Sequence, residues 1–161
     1  MGAGKTTLGK LLARRLGFAF VDSDHEIEAQ TGVRIRDIFE IEGEATFRAR
    51  EHKALEQLLG RRNTVLATGG GIVLLPENRA LLKAHPPVVY LHAQPQRLWE
   101  RLHHDRSRPL LQTADPQAKL AQLYAERDPF YRAVASHIFE TGEAPLDQLA
   151  DKVLNALQSG S

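Results

Sequence analysis

Apolar residues along this chain recur in two patterns, which predict alternating helices and strands. Leu8, Leu11, Leu12 and Leu16 follow the spacing of one helix face, so a first helix is expected to end at Gly17. The same reasoning predicts further helices over residues 23–32, 35–40, 44–59, 76–85, 95–103 and 146–157. Short apolar runs predict buried strands over residues 18–21, 64–67, 88–91 and 138–139.

Two helix boundaries depend on particular residues. Ser23 and Glu26 fit a capping box, so we expect Ser23 to cap the second helix. Residues 104–116 are polar, contain two prolines and break the helical pattern. Helix resumes near Gln117, and Pro129 is expected to interrupt it.

Strands that alternate with helices favour an α/β fold with a parallel sheet covered on both faces. Gly4-Lys5-Thr6 is the second half of a P-loop, G-x-x-x-x-G-K-[ST]. The first glycine of that motif, and the strand that feeds it, would precede Met1. We therefore expect either that the sequence begins inside a longer natural protein or that its start is misassigned. The central first strand of the sheet would then be missing from this chain.

Composition and charge narrow the class of protein. The 161 residues suit one domain over residues 1–161, and the net charge of +1 provides no attraction to nucleic acid or an anionic membrane. The absence of cysteine excludes a disulfide framework, a thiolate nucleophile and a cysteine-bound metal. No signal peptide and no bilayer-long apolar run is visible, so we expect a cytoplasmic, monomeric protein.

The glycine-rich segment Gly2-Ala3-Gly4-Lys5-Thr6-Thr7 predicts a phosphate site. Backbone N–H groups at a helix N-terminus bind phosphate oxygens, so this segment would hold ATP. Lys5 would reach the β- and γ-phosphates, and the Thr6 hydroxyl would bind Mg²⁺. The alternative is a glycine-rich helix start that binds nothing.

Two aspartates follow the strand predicted at 18–21, at the edge where open α/β sheets bind ligands. One of Asp22 and Asp24 can support Mg²⁺ through water, and the other can orient or deprotonate an acceptor hydroxyl. The alternative for both is helix capping. The strands that end near Ala67 and Leu91 lack the aspartate of a Walker B element, so Asp22 is the expected partner of Thr6 at the metal.

Glycines and arginines supply the remaining candidates. Gly69-Gly70-Gly71 follows a strand and would let backbone approach a ligand, although a tight turn is the alternative. Arg48 and Arg127 could bind a carboxylate, but Arg48 could instead pair with Glu51 or Glu44.

Residues 103–116 are expected to form a lid that brings Arg108 over the phosphates and excludes water. A solvated loop is the alternative.

Taken together, these motifs resemble the shikimate kinase family. The resemblance rests on motifs in family order over nearly the whole chain: Gly-x-Gly-Lys-Thr-Thr, Asp22-x-Asp24, Thr31-Gly32 before Ile38-Phe39, Gly43-Glu44, Phe47-Arg48, Gly69-Gly70-Gly71, Arg108-Pro109-Leu110-Leu111 and Arg127-x-Pro129-x-Tyr131. It implies a three-layer P-loop kinase fold with a five-stranded parallel sheet, and ATP-dependent phosphorylation of the 3-hydroxyl of shikimate.

The resemblance also implies residue roles. Asp24 would hold the shikimate hydroxyls and act as the base, while Arg48 and Arg127 would grip the carboxylate with help from the backbone of 69–71. Glu51 would orient Arg48, within a substrate-binding region of residues 23–60. Arg108 would contact the ATP phosphates, and Arg101 would lie on the adenine side.

One departure concerns the adenine site. The family often places an arginine after the last strand, where this chain has Glu140-Thr141-Gly142-Glu143, so adenine contacts there are in doubt. Two kinds of alternative function stay open at this point. One is a related P-loop kinase acting on gluconate or a nucleoside monophosphate, and the other is an inactive nucleotide-binding module.

Overall fold

The structure is a computed structural model that describes residues 5–102, 115–142 and 144–159, with the backbone alone at 101 and 102. The helices are α1 (Lys5–Leu16), α2 (Ser23–Thr31), α3 (Ile35–Glu42), α4 (Glu44–Leu59), α5 (Pro76–Lys83), α6 (Pro95–Leu102), α7 (Pro116–Val134) and α8 (Leu146–Ser159). The strands are β1 (Ala19–Asp22), β2 (Thr64–Ala67), β3 (Val89–His92) and β4 (His137–Glu140), and a 3₁₀ helix covers Gly70–Leu74.

The chain divides into two compact units. Residues 6–85 form the N-terminal unit, and residues 86–161 with residues 1–5 form the C-terminal unit. Each unit contains a two-stranded parallel sheet, so the predicted α/β class with parallel strands is confirmed. Within the described segments, no helix combines the length and the apolarity needed to cross a bilayer.

In the N-terminal unit, β1 pairs with β2 so that Asp22 lies opposite Ala67. Both strands therefore end at the same edge of the sheet. The segment after β1 opens α2, and the segment after β2 carries the glycines of the 3₁₀ turn. This parallel pairing places the two sets of candidate residues side by side, because the carboxyl ends of parallel strands coincide.

An apolar cluster holds the helices of the N-terminal unit together. Ile27 of α2, Ile38 of α3, and Phe47 and Ala54 of α4 are buried against one another, with Ile35 packed at the side. Burying a large aliphatic or aromatic side chain contributes about 1.5–3 kcal/mol. The cluster therefore fixes α2 and α4, which both carry candidate site residues.

The C-terminal unit is built on β3 and β4, with His92 opposite Glu140. Leu120 of α7 is buried against Leu98 and Trp99 of α6. Helix α8 buries one apolar stripe, as its spacing predicts.

Helix α7 is continuous through Pro129, so the predicted interruption at that residue is wrong. Proline removes one helical hydrogen bond, but the helix continues when contacts on both sides hold it. Here Asp128 accepts a hydrogen bond from Tyr90 of β3, and Val134 is buried beyond the proline. Tertiary contacts therefore override the local preference.

Candidate active site

Asp22, the last residue of β1, caps α2. Its backbone is extended (φ −109°, ψ 125°), and its Oδ1 accepts hydrogen bonds from the backbone N–H groups of Asp24 (2.9 Å) and His25 (3.4 Å). The prediction that Ser23 caps this helix is therefore wrong. Ser23 is the first helical residue and is fully buried, and its hydroxyl has no hydrogen-bond partner among the described residues.

The cap decides how the two aspartates differ. Oδ1 of Asp22 accepts the hydrogen bonds that cap α2, which supports the capping alternative for this residue. Asp24 is the second residue of α2 and is half-buried, with its carboxylate packed against Gly69. A Cβ at Gly69 would lie 3.0 Å from Oδ2 and 3.1 Å from Oδ1 of Asp24. The carboxylate of Asp24 thus meets bare backbone at the end of β2.

Arg48 on α4 packs against the third glycine of the same turn. A Cβ at Gly71 would overlap Nη1 of Arg48 and lie 2.5 Å from Nη2 and 2.6 Å from Cζ. Only glycine permits this approach at position 71. The structure therefore brings Asp24 and Arg48 to one glycine-rich backbone, at its first and third residues.

The guanidinium of Arg48 is held from several sides. Its Nη1 donates to Oε1 of Glu51 at 2.9 Å, and Nη2 lies 3.5 Å from Oε1 of Glu44. The Glu51 side chain is 1% exposed and that of Arg48 is 13% exposed, so this ion pair is buried. The rings of Phe39 and Phe47 lie 5.7 and 5.2 Å from Cζ.

The sequence left two roles for Arg48, binding a carboxylate ligand or pairing with a glutamate, and the second is compatible with the first. Arg48 does pair with Glu51 and Glu44, and that pairing also orients its guanidinium toward Gly71. Its Nε is buried and has no hydrogen-bond partner within the described part of the chain. The contacts of Arg48 with the two aromatic rings were not predicted from the sequence. The available signal was that Phe47 directly precedes Arg48 in the chain.

The phosphate loop is described only from Lys5 onward, and Gly2, Ala3 and Gly4 lie outside the described residues. Lys5 and Thr6 are half-buried at the first turn of α1, and Thr7 is exposed. The first turn of α1 contains no acidic residue, so its positive dipole end is not offset by a carboxylate of its own. This first turn therefore suits an anion.

Within the described residues, no group of three or more His, Asp or Glu side chains could hold a metal ion. Mg²⁺ does not require such a cage, because it keeps several waters and binds one or two protein groups together with substrate phosphates. Thr6 and Asp22 fit that donor set, since Oδ1 of Asp22 serves the helix cap and no hydrogen bond from the described residues occupies its Oδ2.

Arg127 lies on α7 in the C-terminal unit. It is half-buried and lines a small cavity of about 60 Å³ together with Tyr90, Tyr124 and Tyr131. Its Nε is buried without a hydrogen-bond partner in the described segments. Its neighbour Asp128 accepts a hydrogen bond from the Tyr90 hydroxyl at 2.8 Å.

Burial raises the pKa of Tyr90 well above its usual value of 10.0, and the hydrogen bond to Asp128 adds to the shift. The phenol therefore stays protonated and remains a donor at neutral pH. Asp128 also pairs with Arg132, and that contact raises the pKa of Arg132.

The other predicted nucleotide-side residues have no described side chains. Arg101 belongs to α6, but its side chain, Arg108 and the lid residues 103–114 lie outside the described residues. The last two residues of the predicted lid, Asp115 and Pro116, form the N-cap and first residue of α7.

Glu140 and Thr141 at the end of β4, where the sequence lacks the arginine that the resemblance implies, form hydrogen bonds with His92. Oε2 of Glu140 lies 2.7 Å from Nδ1 of His92, whose Nε2 lies 2.7 Å from the hydroxyl of Tyr124. Thr141 donates through its backbone N–H and its hydroxyl to the carbonyl of His92. His92 is 2% exposed, and nothing in its sequence context singled it out.

Comparison with known proteins gives a consistent result over the whole chain. The family model for shikimate kinase matches residues 1–158. The shikimate kinase of Cupriavidus pinatubonensis is 60% identical over 158 residues, covering 98% of this chain and 82% of the relative. That of Burkholderia pseudomallei is 56% identical over 158 residues, with coverage of 98% and 86%.

Solved structures agree in fold. Shikimate kinase from Acinetobacter baumannii in complex with shikimate matches with a TM-score of 0.95 and 47% identity, over 100% of this chain and 90% of that one. Shikimate kinase from Bacteroides thetaiotaomicron matches with a TM-score of 0.90 and 31% identity, over 98% and 94%. With these likenesses and the P-loop kinase fold, the chain belongs to the shikimate kinase family of phosphotransferases, which act on a hydroxyl acceptor.

Proposed function

We propose that this protein transfers the γ-phosphoryl group of ATP to the 3-hydroxyl of shikimate. The observation that carries the proposal is the placement of Asp24 and Arg48 against Gly69 and Gly71. A guanidinium and a carboxylate on one glycine backbone complement a ligand with a carboxylate and hydroxyl groups. The likeness to a kinase solved with shikimate supports the same acceptor.

On the acceptor side, Arg48 grips the carboxylate of shikimate, and the backbone of Gly69, Gly70 and Gly71 adds donors. Glu51 holds Arg48 in place. Arg127 supplies a second cation to the same carboxylate. Asp24 orients the acceptor hydroxyl and takes its proton as the phosphoryl group arrives.

On the donor side, the segment Gly2-Ala3-Gly4-Lys5-Thr6-Thr7 holds the ATP phosphates, with Lys5 at the β- and γ-positions. Thr6, and Asp22 through water, would hold Mg²⁺, which would neutralise part of the phosphate charge. Arg108 adds positive charge, and Arg101 contacts the adenine side.

These assignments imply one kinase domain over residues 1–161. Its substrate-binding region covers residues 23–60 and its lid covers residues 103–116. We further propose that the enzyme works as a monomer in the cytoplasm. Adenine would meet no stacking arginine at the end of β4, because the chain has Glu140-Thr141-Gly142-Glu143 at that place. Glu140, the last residue of β4, pairs with His92.

The acceptor is tested by offering the purified natural protein a panel of shikimate, gluconate and nucleoside monophosphates with Mg²⁺ and ATP. We expect ADP to be released when shikimate is the acceptor and not when gluconate or a nucleoside monophosphate is offered. Phosphorylation of gluconate or a nucleotide in place of shikimate would overturn the assignment. Binding of ATP and shikimate by calorimetry without any turnover would instead identify an inactive module.

A further inference from the structure

We propose that Tyr90 is a positioning residue for Arg127, acting through the hydrogen bond from its phenol to Asp128. The inference rests on the proposed function, in which Arg127 binds the carboxylate of the acceptor. It concerns the C-terminal unit alone, where strand β3 carries Tyr90 and helix α7 carries the other two residues.

Arg127 and Asp128 lie in a weakened turn of α7. Pro129 has no N–H, so it makes no helical hydrogen bond to the carbonyl of Ala125, and its ring crowds that carbonyl. Kinks in helices occur at such positions. The direction in which Arg127 points therefore depends on contacts that α7 makes outside itself.

Among the described residues, no acidic side chain holds Arg127. Within residues 5–102, 115–142 and 144–159, no carboxylate pairs with it, and its buried Nε has no hydrogen-bond partner. Arg48, by contrast, is held by two glutamates. The orientation of Arg127 must therefore come from the helix backbone and from the walls of its small cavity.

Asp128 provides the external contact. Its Oδ1 accepts from the Tyr90 hydroxyl at 2.8 Å, and its Oδ2 accepts from Nε of Arg132 at 2.9 Å. The Tyr90 ring also packs on that of Tyr131, with centroids 4.9 Å apart. Tyr90 thus contacts α7 on both sides of Pro129.

Because α7 is helical, the contact of Asp128 with Tyr90 also sets the direction in which Arg127 projects. Successive residues project about 100° apart around the axis, because 3.6 residues make one turn. Holding Asp128 toward β3 therefore fixes where the neighbouring Arg127 projects. Loss of the contact would let the turn rotate, and small misplacements of a binding group are costly in catalysis.

The test is Tyr90→Phe, which removes only the hydroxyl. We expect the KM for shikimate to rise about three- to tenfold, since the lost hydrogen bond is to a charged group. The KM for ATP should change by less than about twofold. Val134→Ala is the control for general loosening of α7, because Val134 is buried on the same helix but does not line the cavity of Arg127. An equal rise of the shikimate KM in both variants would show general loosening of α7 and overturn the proposal.

A double-mutant cycle separates this inference from the proposed function. In an Arg127→Ala background, Tyr90→Phe should have no further effect on the shikimate KM. Asp128→Ala should reproduce the effect of Tyr90→Phe, and Asp128→Asn, which retains an acceptor oxygen, should restore most of the affinity. If Arg127→Ala itself leaves the shikimate KM unchanged, the assigned role of Arg127 fails. If it raises KM but Tyr90→Phe does not, only the positioning role fails.

Discussion

The guanidinium of Arg48 lies so close to Gly71 that a side chain at position 71 would force it to move. A Cβ there would fall 2.5 Å from Nη2 and 2.6 Å from Cζ of Arg48. Arg48 cannot readily move aside, because Glu51 holds it in a buried ion pair. The third glycine of the turn is thus needed for packing against an arginine, and this requirement leads to the first prediction.

Gly71→Ala should displace the Arg48 guanidinium and raise the KM for shikimate by about tenfold or more. Gly60→Ala is the control, since a Cβ there meets only the Gln57 carbonyl at 3.6 Å and the backbone is already helical. Steady-state kinetics of both variants, with thermal unfolding to check the fold, measure the effect. A folded Gly71→Ala variant with an unchanged KM would show that the guanidinium relaxes without cost.

Arg48→Ala should weaken shikimate binding by about 2 kcal/mol or more, because the substrate carboxylate is left poorly paired. Arg50→Ala provides the control on the same helix, since Arg50 is exposed and pairs with Glu42. Calorimetric titration with shikimate compares the two. Unchanged affinity in Arg48→Ala would remove this residue from the binding site.

Asp24→Asn should lower kcat far more than it weakens ATP binding. The amide keeps the size of the side chain beside Gly69 but cannot take the proton of the acceptor hydroxyl. Turnover and the Kd for ATP are measured on the same preparation. A comparable rise in the ATP Kd would place Asp24 on the nucleotide side.

Substitutions at Asp22 distinguish its cap from its proposed metal role. Asp22→Ala removes the acceptor for two backbone N–H groups and should destabilise the fold by about 1 kcal/mol. Asp22→Asn keeps an acceptor oxygen, so its Tm should stay near that of the parent while the Mg²⁺ concentration for half-maximal activity rises. Removal of Mg²⁺ with EDTA should abolish turnover in all three proteins. Parental Mg²⁺ dependence in Asp22→Asn would leave this residue only as a helix cap.

The raised pKa of Tyr90 predicts a loss of stability at alkaline pH. A group whose pKa is raised on folding stabilises the folded state below its unfolded pKa, and that contribution falls as pH rises toward the folded value. The free-energy difference between parent and Tyr90→Phe should be constant up to about pH 9 and shrink above about pH 10. Urea unfolding from pH 7 to 11 measures it, and a difference independent of pH would contradict the burial of the phenol.

Local sequence patterns were sufficient to predict an element where one strong preference sets its bounds. Helix α4 begins and ends at the predicted residues, because its apolar face repeats regularly and glycines flank both ends. The candidates Asp24, Arg48 and 69–71 could be proposed from residue types and their position after strands. The structure brings these candidates together in the N-terminal unit.

Choices between near-equal local options required the tertiary structure. Asp22 and Ser23 are both good caps, and the pairing of Asp22 with Ala67 extends β1 to the aspartate. The cap therefore lies at Asp22, one residue earlier than predicted. Pro129 locally opposes a helix, but the bond from Tyr90 to Asp128 helps keep α7 intact. The sequence by itself determined the elements, the family and the residue types of the site. Only long-range contacts decided caps, helix continuity and side-chain direction. Two good caps differ locally by less than about 1 kcal/mol, and a proline inside a helix costs about 3 kcal/mol, so the packing of several distant side chains outweighs both.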